Sequence, residues 1–282
     1  MLLTGEQLKK LGLEPYTRVS PLLTKCCLRV CANSSYQNAA TDLQVLMGIE
    51  IGHSSLQRYV QRQEFPCAEP NAAIEEISLD GGKVRLRSPL KGQKSYWRDY
   101  KAARLNGTYF GAWFQDNLAL TTWINAQRLN TPLICLGDGH QGIWNLFAQI
   151  ATTEQRWEII DWFHLKENLY KVGGSLKRLQ QAEDLLWHGD LSAVKLLFAQ
   201  LRRKEAQNFG NYLDRHDRRL VNYNYCQNAL LNPIPIGSGA VESAVKQLDR
   251  RLKLSGAQWK PENVNQVLAL RCSYLNGFLD SV

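Results

Sequence analysis

Three acidic residues stand where a carboxylate has chemistry available to it. Asp80 ends the mixed apolar and acidic run Ile74-Glu75-Glu76-Ile77-Ser78-Leu79-Asp80, which reads as a strand, and Gly81-Gly82 behind it permits a turn or bulge. Asp138 follows the short apolar run Pro132-Leu133-Ile134-Cys135-Leu136, as expected of a buried strand, and lies between Gly137 and Gly139. Glu242 falls in the first turn of a helix that opens at Gly239. A carboxylate set among apolar neighbours is costly unless it is paired or holds a metal. Taken singly, each aspartate also reads as a turn former or cap, and Glu242 as a capping or dipole-favoured residue. Brought together, the three form a hard, all-oxygen site of the kind Mg²⁺ takes. Two such ions can activate an attacking oxygen and stabilise a leaving oxygen at phosphorus.

The elements around these acids follow from periodicity. Residues 1–66 read as short helices. Ala40, Leu43 and Met47 make one stripe, Gly48 breaks it, and Ser54 or Ser55 can cap a helix carrying Leu56 and Val60. This is the outline of a helix-turn-helix that would offer Gln57 and Arg58 to a groove, and equally of an ordinary helical hairpin. Pro66 to Pro70 reads as a linker. Residues 74–162 hold the strands: 84–87 alternates with period two, and 97–104 and 108–114 are strand-like and aromatic. A helix over 118–129, the buried strand, a helix through Trp144, Leu146 and Ile150, and a last strand over 157–160 complete the segment. Residues 163–232 read as charge-balanced helices running to about Leu231 and broken by Asn232-Pro233-Ile234-Pro235. Residues 233–282 carry the helix of Glu242. On that helix Lys246, Asp249 and Lys253 share the face of Glu242, while Val241, Val245, Leu248 and Leu252 form an apolar stripe.

Composition narrows the partners. The 282-residue chain carries a net charge of +8, and residues 83–104 alone hold eight basic residues against one acid, Asp99. Lys83, Arg85, Arg87, Lys94 and Arg98 in that stretch, with Lys246, Arg250 and Arg251 beyond Glu242, suit a polyanion, though a solvated basic surface gives the same pattern. A sugar-cleaving pair of carboxylates would gain nothing from such a stretch. No apolar run approaches the ~20 residues of a membrane span, and the polar turn at Thr4-Gly5-Glu6 does not read as a signal peptide. The seven cysteines read as reduced thiols of a cytosolic protein, mostly core filler; Cys26, Cys27 and Cys31 lack partners at zinc-binding spacings and read as core or surface thiols.

Four segments together, Ser78-Leu79-Asp80-Gly81-Gly82, Leu136-Gly137-Asp138-Gly139, Asp161-Trp162-Phe163-His164 and Gly237-Ser238-Gly239-Ala240-Val241-Glu242-Ser243, resemble the DDE transposases of bacterial insertion sequences. The likeness is to the ISKra and ISLre groups and, more distantly, to Mutator-type enzymes, and runs from about Ile74 to Arg271. It implies an RNase H-like α/β fold whose mixed sheet sets the first and fourth strands side by side beneath the acidic helix, with residues 163–232 as a helical insertion. It implies Asp80, Asp138 and Glu242 as the catalytic, metal-binding triad, two Mg²⁺ ions (with Mn²⁺ as a substitute), and Asp161 and His164 as supporting residues. It further implies DNA cleavage and strand transfer at element ends, a homo-oligomer in the active complex, and a bacterial cytoplasmic, nucleoid-associated location. Relatives tend to carry a longer DNA-binding segment ahead of the first strand, so a shortened copy is also in view. An RNase H-like nuclease or resolvase, and a non-catalytic DNA-binding derivative, are the competing readings.

Overall fold

The computed structural model describes residues 5–10, 19–90, 92–229 and 233–280. The expectations placed on residues 1–4, on Leu231 and on Asn232 lie outside them. The chain begins with four helices, α1 (Gly5–Lys10), α2 (Pro21–Asn33), α3 (Tyr36–Met47) and α4 (His53–Arg62). Strands β1 (Ile74–Leu86), β2 (Tyr96–Leu105) and β3 (Tyr109–Phe114) follow, then α5 (Asn117–Asn125), β4 (Leu129–Gly137), α6 (Gln141–Phe147) and β5 (Arg156–Ile160). Five helices come next: α7 (Trp162–Tyr170), α8 (Leu176–Trp187), α9 (Leu191–Ala199), α10 (Lys204–Arg215) and α11 (Tyr223–Asn228). The chain closes with α12 (Gly239–Leu252) and α13 (Pro261–Leu275). Among the described residues no helix is long and apolar enough to cross a membrane.

The sheet has the order β3-β2-β1-β4-β5. The pairs β1–β2 and β2–β3 are antiparallel, and β1–β4 and β4–β5 are parallel. The first and fourth strands are therefore neighbours, and the protein has an RNase H-like α/β fold. Burial along β1 explains how that strand serves both faces. Ile77 and Leu79 belong to the core shared with α5 to α10, whereas Val84 and Leu86 belong to the core beneath α12 and α13. Side chains alternate faces along a strand, so Asp80 shares the face of Val84 and Leu86 and looks towards α12. Lys83, Arg85 and Arg87 take the opposite face.

Gly81-Gly82 makes neither a turn nor a bulge. The β1–β2 register runs without a break from Ile77 opposite Leu105 to Leu86 opposite Tyr96. The ring of Tyr100 crosses directly over Gly82, where an added Cβ would come within 2.2 Å of it. The buried Tyr100 hydroxyl then donates to Asp249 of α12 at 2.9 Å. The glycine thus admits the side chain that ties the acidic helix to the sheet. Gly82→Ala is expected to lower stability by about 1–3 kcal/mol, the usual cost of overpacking, measured by chemical denaturation.

Other boundaries also move. Residue 54 or 55 does not cap α4; its N-cap is Gly52, with no side-chain bond. Ala39 and Leu43, not Ala40 and Met47, carry the buried side of α3. The segment from Pro66 to Pro70 is no free linker, because Ala68 is buried and its carbonyl accepts from Trp123 Nε1 at 2.8 Å. The N-terminal helices pack on α13 through Leu270, and the helices after β5 share one core with the sheet. All seven cysteines are free thiols. Burial pushes Cys27 up to about 11 and Cys31 up to about 12, values of inert core thiols.

Candidate active site

Each acid reaches the site by a different element. Asp80 sits two residues past the last β1–β4 pair, Ser78 opposite Leu136, so no strand backbone covers its β4 side. Its Oδ1 accepts the Gly81 N–H at 2.6 Å. Asp138 leaves the end of β4, and its Oδ1 accepts the His140 N–H at 2.8 Å, closing the turn into α6. Glu242 occupies the first turn of α12, where the buried stripe Val241, Val245, Leu248 and Leu252 seats the helix on the sheet.

The three carboxyls occupy one neighbourhood. Burial raises the Asp80 carboxyl above its ordinary range, and the charges of Asp138 and Glu242 raise it further. The Gly81 N–H and His164 act against the rise. Holding several acids together in a partly dry place is unfavourable without a counter-charge. Part of that counter-charge is internal. His164 Nδ1 lies 3.5 Å from Asp161 Oδ1 and 3.7 Å from Glu242 Oε1. The pull of Asp161, opposed by burial and helped by Glu242 and Asp138, holds the imidazole up to about 9, so it is protonated at neutral pH.

Asp161 and Ser238 build the frame. Asp161 is fully buried at the end of β5 and caps α7, its Oδ1 accepting the His164 N–H at 2.9 Å. Its Oδ2 accepts both the N–H and the hydroxyl of Ser238, just before α12. Burial alone would raise this carboxyl; donors from His164 and Ser238 outweigh it and hold the group below its ordinary range. The Trp162 N–H donates to Ile236 carbonyl at 2.8 Å in the same junction. Gly237 lets the Phe163 ring approach to 2.7 Å of where a Cβ would stand. Ser238 would be read from sequence as a helix cap, yet its side chain makes no cap bond, because its hydroxyl is spent on Asp161.

Among the described residues, Asp161, His164 and Glu242 form a group able to hold a metal, one ligand atom of each lying within 4.8 Å of the others. Both Asp161 oxygens of this group already accept hydrogen bonds, Oδ1 from the His164 N–H and Oδ2 from Ser238.

The basic residues divide. Lys83, Arg87, Lys94, Arg98 and Arg250 are exposed, and Arg85 is half-buried against Ser95 at 2.6 Å. Lys246 is exposed with its Nζ 3.6 Å from Glu242 Oε2. Arg58 is exposed and Gln57 half-buried on α4. Arg251 does not belong with them. It is 1% exposed, its Nε donates to Cys31 carbonyl at 2.7 Å, and its guanidinium lies 5.0 Å from the ring centres of both Tyr36 and Trp259. A buried, stacked guanidinium cannot reach a phosphate; Arg251 locks α12 to the N-terminal helices instead.

One further titrating group sits behind the site. His216 is buried beside Tyr212 and Trp144. Burial, with Arg219 and Arg215 adding to it, lowers its pKa to about 4. Between that value and 6.5 the unfolded chain binds the extra proton, so stability rises with pH across this window and is lost as pH falls through it. Acidification from pH 7 to 4 is expected to cost a few kcal/mol at this residue. His216→Phe is expected to flatten that part of a denaturation-against-pH curve.

No family model and no curated protein matches the chain. Among solved structures it is similar to the Drosophila P element transposase strand transfer complex, at 12% identity and a TM-score of 0.37, covering 99% of this chain and 84% of that one.

Proposed function

We propose that this protein is a metal-dependent DNA transposase that cleaves a strand at an element end and transfers it to a target. The observation that supports the reading is that the charges of Asp138, just past β4, and Glu242, on α12, reach the Asp80 carboxyl of β1 and raise it. Asp80, Asp138 and Glu242 would hold two Mg²⁺ ions, or Mn²⁺ in their place, which supply activation of an attacking oxygen and stabilisation of a leaving one. In the first step a water oxygen bonds to phosphorus and the P–O3′ bond breaks, leaving a 3′ hydroxyl and a 5′ phosphate. In the second, that hydroxyl oxygen bonds to a target phosphorus and the target's P–O3′ bond breaks.

The chain's own residues orient this chemistry. Asp161 and Ser238 fix the start of α12, and Tyr100 and Asp249 fix its middle, so Glu242 is held from both sides. Lys83, Arg85, Arg87, Lys94, Arg98, Lys246 and Arg250 supply backbone phosphate contacts, which position DNA without reading sequence. The pair α3–α4, with Gln57 and Arg58, serves as a helix-turn-helix towards a groove. Residues 163–232 act as an insertion between the second aspartate and the glutamate, and a homo-oligomer brings two ends together. The location is the bacterial cytoplasm, at the nucleoid.

The test is cleavage of DNA taken from either side of the gene, where the reading expects inverted repeats. Mg²⁺ or Mn²⁺ is expected to support cleavage, and EDTA to abolish it. Joined products from a substrate with a free 3′ hydroxyl are expected as well. Hydrolysis without joined products would favour a nuclease, and no metal-dependent product at all would overturn the enzymatic reading.

A further inference from the structure

We propose that the cavity between α7 and α10 receives an unpaired nucleobase of the bound DNA, beside the cleaved phosphate; this rests on the DNA-processing reading above. The cavity measures about 430 Å³, within the size range of sites for small organic groups. Its location ties it to the acids. Asn168 stands one helical turn beyond His164 on α7. The Tyr212 hydroxyl lies against the turn that carries Asp138, so near that a Cβ on Gly139 would fall 2.7 Å from it.

The lining fits a base more closely than a phosphate or a lipid chain. Tyr212 offers a half-buried aromatic face, backed by Phe209 with ring centres 6.3 Å apart and 14° between planes. Base–aromatic stacking is tolerant of sequence because every base has a π-face. Asn168, Asn208 and Asn211 bring three amides to the same walls, and an amide donates and accepts together, as base edges require. Lys171, whose Nζ donates to Asn168 Oδ1 at 3.2 Å, and Arg215 complete the lining with two cations for flanking phosphates. The acid there, Glu205, is engaged by Arg203 at 3.7 Å. The Tyr212 hydroxyl is enclosed beside Asn168, and the ring lines the cavity. A stacked, paired base cannot enter such a recess; it must first leave the helix.

The test uses the full-length protein without divalent cations, so that no chemistry occurs, and a short duplex carrying one unpaired 2-aminopurine. Binding is expected to quench the 2-aminopurine emission. The unpaired duplex is expected to bind about ten-fold more tightly than its fully paired counterpart, in line with the energy of one stacked base. Tyr212→Leu, and separately the exposed pair Asn208→Ala and Asn211→Ala, are expected to abolish that preference while leaving the paired duplex bound as before. Should Tyr212→Leu fail to fold, the surface pair still decides. Equal affinity for the two duplexes, unchanged emission, or a preference that survives the amide substitutions would overturn the proposal. Quenching without cleavage in Mg²⁺ would refute only the enzymatic reading, and cleavage without quenching only the base pocket.

Discussion

Replacing Asp80 by asparagine is expected to abolish metal-dependent DNA cleavage and, in the absence of metal, to make the protein more stable. The two effects share one cause. The Asp80 carboxyl is raised by burial and by Asp138 and Glu242, so its charged form is disfavoured in the folded state. A carboxyl whose folded pKa lies above its unfolded one binds more protons folded than unfolded between the two values. Stability then falls as pH rises through that window and stays lower at neutral pH. An amide cannot ionise, yet its oxygen still accepts the Gly81 N–H. Thermal unfolding in EDTA is expected to occur at a higher temperature for Asp80→Asn than for the unsubstituted protein, and to depend less on pH above the ordinary carboxylate range. Cleavage is expected to fall on the order of 10³-fold or more, the scale set by losing an electrostatic partner of the transition state. Mg²⁺ is expected to raise the unfolding temperature of the unsubstituted protein by mass action and to do much less for the variant. A variant that is less stable in EDTA, or that cleaves at the normal rate, would contradict this account.

How far the sequence disclosed this arrangement depends on the distance over which each feature is decided. The alternation of Val84, Arg85, Leu86 and Arg87 is a local pattern, and the strand with its apolar and basic faces follows from it directly. The apolar run ending at Leu136 likewise puts Asp138 at a strand end, because burial of a short β-strand leaves its signature in its own residues. Gly82 was opaque for the opposite reason. Its role is set by Tyr100, which reaches it only once β1 and β2 have paired, so the glycines read locally as a turn. Arg251 followed Arg250 in an apparent basic run; only the docking of Tyr36 and Cys31, some 200 residues earlier, turns it into a buried anchor. Pro132 and the polar Asn130 and Thr131 hid the first half of β4, which is exposed and carries no alternation. Asp161 could be noticed from its place before a helix, but its second partner, Ser238, lies in a segment that reads as a cap for α12.

That second partner makes Asp161 the other position where a single change has large consequences. Truncation to alanine removes the acceptor of the His164 N–H and of both Ser238 donors in a fully buried place, leaving them unsatisfied. Each buried donor left unpaired costs about 1–3 kcal/mol, so Asp161→Ala is expected to lose several kcal/mol in denaturant unfolding. It also releases Ser238 from the β5–α7 corner, leaving only the Trp162 N–H to Ile236 carbonyl bond to hold the segment that launches α12. A shift of about 1 Å at Glu242 is enough to cost on the order of 10²-fold in rate. Asp161→Asn separates the two contributions. Its single oxygen can cap α7 or meet Ser238, while its NH₂ faces a donor at the other side, so the variant is expected to fold yet keep only part of the activity. The imidazole of His164 reports the same loss. Without the Asp161 charge, its pKa, now about 9, is expected to move down towards the ordinary 6.5 in an NMR titration of the metal-free protein. If instead Asp161→Asn cleaves DNA at full rate while His164 titrates near 6.5, Asp161 is only a cap for α7, and the position of Glu242 is set by Tyr100 and Asp249 alone.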